Sequence, residues 1–121
     1  MPLKIQFYPD GETGYVSEYL ESLRLNPNRK KAHDKIKFDL ALLAAEGLGF
    51  GFLDIKRIVG APGSVWELRR PYQGIAYRIY FCVIKGEVWL LHFLEKETAK
   101  IPLSDLQIIR KRSQEVFARK R

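Results

Sequence analysis

Apolar and polar residues alternate with a period of two in four stretches of this chain and recur at helical spacing in three. Leu3–Tyr8 places Leu3, Ile5 and Phe7 opposite Lys4, Gln6 and Tyr8, the pattern of a short strand closed by Pro9-Asp10-Gly11. Val16, Tyr19, Leu20 and Leu23 then fall at helical spacing, and Asn26-Pro27-Asn28 ends that run. A second helix is predicted from about Arg29 to Glu46, with Ala32, Ile36, Leu40 and Leu43 as its stripe and Gly47 past its end. Asp54–Val59 reads as an extended or short helical piece with Lys56 and Arg57 exposed. Three strands follow: Val65–Arg69, Ile75–Val83 and Val88–Leu94, separated by Pro71–Gly74 and Lys85-Gly86-Glu87. Ser104 with Gln107 fits a capping box, and Leu106, Ile109, Val116 and Phe117 stripe a last, basic helix.

The predicted order is therefore β-α-α-β-β-β-α. It implies an α+β fold: an antiparallel C-terminal meander with two N-terminal helices packed on one sheet face. The opposite face is expected to be open and polar. Without repeats or a low-complexity segment, residues 1–121 read as one domain.

Charge changes this picture. The net charge is +7, and Lys100–Arg121 holds seven Lys/Arg against Asp105 and Glu115, a net of +5. A polyanion such as nucleic acid is the partner class this suggests. The single cysteine, Cys82, rules out an intrachain disulfide and fits a buried strand position. No stretch is long and apolar enough for a membrane span and the first residues lack a leader pattern, so a cytoplasmic protein without membrane association is expected.

Candidate chemistry narrows by elimination. The chain lacks HExxH, CxxC, a phosphate-binding glycine loop and a nucleophile elbow; the glycines of 47–51 close a helix instead of opening one. With only His33 and His92 available, no metal or cofactor is expected. What remains is cationic and aromatic: Arg69, Arg78, Tyr80, His92, Lys96 and Lys100. Alternation sets Arg69 on the face of Val65 and Glu67, and Arg78 on that of Ala76, Tyr80 and Cys82. Arginines can grip a phosphodiester and stabilise its extra charge, while RNA supplies its own 2′-hydroxyl nucleophile. His92, Tyr80 or Glu67 could then move protons. Structural roles are equally open: a strand histidine with one hydrogen bond, and arginines paired with Glu67 and Glu95. The third strand sets Val88, Leu90, His92 and Leu94 on one face and Trp89, Leu91, Phe93 and Glu95 on the other; the pattern leaves open which face meets Arg78, and a bulge could change the answer.

WELR at 66–69, YRIYF at 77–81 and LLHFLEKETAKIP at 90–102, followed by a basic helix, together resemble the RelE/HigB superfamily of bacterial toxins. The closest resemblance is to its phage-derived branch, whose tail reads close to LLHxFxKKTxKxP. This implies a RelE-like fold and the toxin half of a type II toxin–antitoxin module. It implies a metal-independent mRNA endoribonuclease, commonly ribosome-associated, masked by a cognate antitoxin that is often a helix-turn-helix protein. By motif position the resemblance assigns catalytic roles to Arg69, Arg78, His92 and Lys96. It assigns RNA contacts to Lys100, with Tyr80 and the helical Arg110 and Lys111 as further candidates. Glu97 stands where the branch has a second lysine, and Trp66-Glu67 where some ribosome-dependent members have lysines. Arg78, expected on an open face, should be removable without loss of the fold. The alternatives are a non-catalytic toxin-like or phage accessory binding protein and a gyrase-inhibiting toxin of the same fold.

Overall fold

Two tight turns draw residues 65–95 into a meander. At Gln73-Gly74 and Lys85-Gly86 all φ angles are positive (49° and 80°, 49° and 77°), the turn geometry that matches the twist of paired strands. A computed structural model of the chain describes residues 2–61, 65–95 and 100–120. Its elements are β1 (Lys4–Phe7), α1 (Tyr15–Leu25), α2 (Lys30–Glu46), β2 (Asp54–Arg57), β3 (Val65–Tyr72), β4 (Ile75–Ile84), β5 (Glu87–Glu95) and α3 (Leu103–Lys120). The five strands form one sheet in the order β1-β5-β4-β3-β2, with β1 parallel to β5 and the other pairings antiparallel. The α+β fold and its meander are as the alternation predicts. The piece that begins at Asp54, for which the sequence allows an extended or a short helical form, is the edge strand β2.

The helical stripes dictate the first core. Val16, Leu20 and Leu23 of α1 and Ala32, Ile36, Leu40 and Leu43 of α2 pack on Leu68, Ile79, Phe81, Val88 and Leu90. A bidentate ion pair from Arg70 to the buried Asp39 (2.8 and 2.5 Å) ties β3 to α2 on this side. Between β1 and α1 the backbone closes so tightly that a Cβ on Gly14 would lie 1.7 Å from the Tyr8 carbonyl oxygen.

The other face is not open. Its Tyr80, Cys82, Trp89 and Leu91 are roofed by Ile109 and Val116 of α3 in a second core. The stripe of the basic helix has to be buried somewhere, and each such side chain contributes roughly 1.5–3 kcal/mol when it is. Helix α3 starts at Leu103, and the Leu106 N–H bonds the Pro102 carbonyl (3.0 Å), so Ser104 lies inside the first turn and is not the cap.

Candidate functional site

Register brings the cationic and aromatic positions together. Arg69 stands directly across from Arg78, and Glu67 across from Tyr80, so all four share the face that α3 roofs. Strand β5 joins them through an irregularity. Tyr80 pairs with His92 but Phe81 pairs with Leu90, leaving Leu91 as an extra residue. Below this bulge Val88 and Leu90 point to α1 and α2; above it His92 and Leu94 point to α3. His92 thus does not share a face with Val88 and Leu90, as uninterrupted alternation requires.

At the centre lies a buried charge cluster. Arg78 is 3% exposed and Glu67 is 1% exposed, with Arg78 Nη1 3.8 Å from Glu67 Oε2. The open position expected for Arg78 is therefore wrong: its side chain is buried beside Glu67, on the sheet face that carries the second core. Lys56 on β2 approaches Glu67 Oε1 from the solvent side at 3.9 Å. Glu67 Oε2, Arg78 Nε and the Tyr80 hydroxyl find no hydrogen-bond partner among the described residues. Unpaired polar atoms are costly when buried, so this cluster is where the sheet carries polar groups that its own packing leaves unsatisfied. Burial first, and then the neighbouring Glu67 carboxylate, hold the Tyr80 phenol well above its ordinary pKa despite Arg78. Tyr80 stays protonated at neutral pH, so its hydroxyl keeps a proton to donate.

His92 is held from both sides. Its Nε2 lies 2.9 Å from Asp105 Oδ1 and its Nδ1 3.5 Å from Arg112 Nη1. Arginine can only donate, so Nδ1 is the accepting nitrogen and Nε2–H donates to Asp105. Burial pushes the imidazole pKa below its ordinary value and Arg112 adds to this, against the pull of Asp105. Arg112 also donates to the Leu91 carbonyl (2.7 Å), inside the bulge, and stacks 4.0 Å from the Tyr15 ring centre.

The outer cations sit around this cluster. Arg69 is 38% exposed in its side chain and faces Asp54 at 3.4 Å. Lys100 is exposed and, with Lys56 and Arg57, lines a cleft of about 450 Å³ between β2 and the start of α3. Arg110 and Lys111 are exposed on α3 and do not line that cleft. Lys96 lies outside the described residues. Glu95, a partner considered for Arg69 and Arg78, turns to the other face and pairs with Arg29 (2.5 Å) and the Tyr19 hydroxyl (2.6 Å). Among the described residues no three His, Cys, Asp or Glu side chains gather where they could hold a metal ion. Nor is any described helix long and apolar enough to cross a membrane.

Residues 23–114 match the family described as Phage derived protein Gp49-like (DUF891). The chain belongs to the Gp49-like family. This is a RelE/ParE-like toxin-type family. The Gp49-like segment runs from within α1 to Gln114 of α3, and so contains the Glu67–Arg78 cluster, the bulge and the cationic cleft. No curated protein and no solved structure matches the chain.

Sequence reasoning missed Lys56, Asp105 and Arg112 as members of this site. Lys56 carries a signal only once β2 is known to be a strand in register with Glu67. For Asp105 and Arg112 there is none, because α3 reaches His92 only through its fold-back onto the sheet.

Proposed function

We propose that this Gp49-like chain is the toxin of a type II toxin–antitoxin module, of RelE/HigB character, and acts as a metal-independent mRNA endoribonuclease. The observation that carries this reading is Glu67: a buried carboxylate paired at 3.8 Å with Arg78, with one oxygen that accepts no hydrogen bond among the described residues, beneath a rim of cations. In this reading the scissile phosphate takes Lys56 as its counter-ion and draws the ammonium away from Glu67. Glu67 accepts the 2′-hydroxyl proton as that oxygen bonds to phosphorus. The bond to the 5′-oxygen breaks, the leaving oxygen takes a proton from water, and a 2′,3′-cyclic phosphate remains. Arg69 and Lys100, with Lys96 of the sequence motif, are the cations that meet the phosphates. Arg78 acts from below, as the charge that orients Glu67. His92, with both ring nitrogens engaged, fixes the bulge instead of moving protons. Arg110 and Lys111 reach RNA phosphates flanking the cut, on the ribosome or off it, and an antitoxin masks the cleft.

The near-complete burial of Glu67 and Arg78 favours a second reading, in which the pair is structural and the chain is a non-catalytic binding protein of the toxin fold. Induced expression followed by mapping of RNA 5′ ends separates the two. The enzyme gives growth arrest and new 5′-hydroxyl ends within coding sequence, and both are lost in folded Glu67→Gln. Arrest with intact RNA supports the binding protein. An SOS response with intact RNA identifies a gyrase-directed toxin.

A further inference from the structure

The cleft beside Glu67 is two-natured. Its cations, Lys56, Arg57 and Lys100, stand against apolar walls made by Ile58, Val59, Ile101 and Leu106. No carboxylate lines it among the described residues. Its volume, about 450 Å³, falls in the range of small-ligand sites. Purely electrostatic capture of a polyanion needs no apolar surface, and an unused gap in the second core would have no charged rim. Val59 is 92% exposed at the mouth, an apolar side chain left in water beside two ammonium groups. An anion attached to a flat apolar body satisfies both halves.

We propose that this cleft takes one nucleoside monophosphate unit of single-stranded RNA, its phosphate on Lys56 and Lys100 and its base against Ile58, Ile101 and Leu106, with the base edge left unread. The inference rests on the reading of the chain as an RNA-cleaving toxin and specifies how the site holds a nucleotide next to the cut. Lys56 also faces Glu67, so a phosphate seated there borders the buried carboxylate. The apolar side chains offer neither donor nor acceptor to a base edge, so the subsite discriminates by apolar area and not by hydrogen-bond pattern. A site that reads a base by hydrogen bonds rejects the wrong partner by factors of about 10⁴ or more. Here the four bases should differ little, with purines ahead of pyrimidines because they bury more surface. Fragment selectivity at this position is then set by phosphate and shape.

The test is an NMR titration of the full chain with AMP, GMP, CMP and UMP, and with adenosine and inorganic phosphate as the two halves of the ligand. The expected result is a set of shifts at Lys56, Ile58, Val59, Lys100, Ile101 and Leu106. Affinities of the four mononucleotides should fall within roughly tenfold of one another, and both half-ligands should bind more weakly than AMP. Lys100→Ala and Val59→Asp, both at exposed positions and checked for native circular dichroism, should each weaken AMP at least about fivefold. The subsite is overturned if phosphate alone binds as well as AMP, if shifts map to Arg110 and Lys111 instead, if the four nucleotides spread beyond tenfold, or if both variants bind AMP as the parent does. No cleavage enters this measurement. AMP seated in the cleft of a protein that leaves RNA intact defeats the endoribonuclease and keeps the nucleotide site; RNA cleavage without AMP binding defeats the subsite alone.

Discussion

Glu67 and Arg78 lie on neighbouring strands, each almost free of solvent, and their closest atoms are 3.8 Å apart. At that separation the charges attract without a direct hydrogen bond, so neither desolvation penalty is fully offset. Removing one partner leaves the other charge stranded. Arg78→Met is therefore expected to destabilise the fold by about 3–5 kcal/mol, with the double variant Glu67→Leu/Arg78→Met losing less than the two single variants combined. Urea unfolding of the four proteins measures this, and an unchanged midpoint for Arg78→Met would show that the pair carries no such energy. The consequence for function is practical. Loss of toxicity in an Arg78 variant is not evidence for catalysis until folding has been checked, contrary to what an open strand face would allow.

Among the elements, β5 and α3 decide the site together. The bulge turns His92 towards α3, and the first turn of α3 brings Asp105 to its Nε2 while Arg112, two turns on, holds Nδ1 and the Leu91 carbonyl. This contact should be sensitive to acid. Because the folded chain holds the His92 pKa below its ordinary value near 6.5, the unfolded chain binds the proton first as pH falls. The stability contribution of neutral His92 is thus present in full above about pH 6.5 and is lost as pH drops through the window below it. Between pH 7.5 and pH 5 the parent chain should lose more urea stability than His92→Gln, in which this group cannot titrate. Parallel losses in the two proteins would mean that His92 is not the group responsible.

Across the whole molecule the sheet is the middle layer between α1 and α2 on one side and α3 on the other. The α3 side has the smaller helical contribution, with Ile109, Ser113 and Val116 as its buried residues. Cys82 reports on it, being sealed beneath α3 with its thiol pKa pushed up to about 12 by burial. A thiol reagent should reach Cys82 only when that layer opens. Ile109→Ala removes about 2 kcal/mol or more from the layer, so labelling is expected to accelerate by roughly thirtyfold or more. If the labelling rate does not change, α3 does not control access to this sheet face. The same layer bears on the proposed activity, because α3 supplies Leu106 to the cleft and Asp105 and Arg112 to His92.

Local periodicity determined much of this by itself. Two-residue alternation in 65–69, 75–83 and 88–90 assigns side chains to sheet faces without reference to anything distant, and the 3.6-residue stripes of α1 and α2 name the residues that cover one of those faces. Arg69 and Arg78 share a face because the two-residue turn at Gln73-Gly74 then sets their strands in register. Tertiary structure decided the rest. Whether an arginine on a strand is wet or buried depends on what its sheet face packs against, and this face carries a second core that α3 completes from outside the meander. Which way His92 points depends on a single extra residue in β5, which shifts every later side chain to the opposite face while leaving the composition of the strand unchanged.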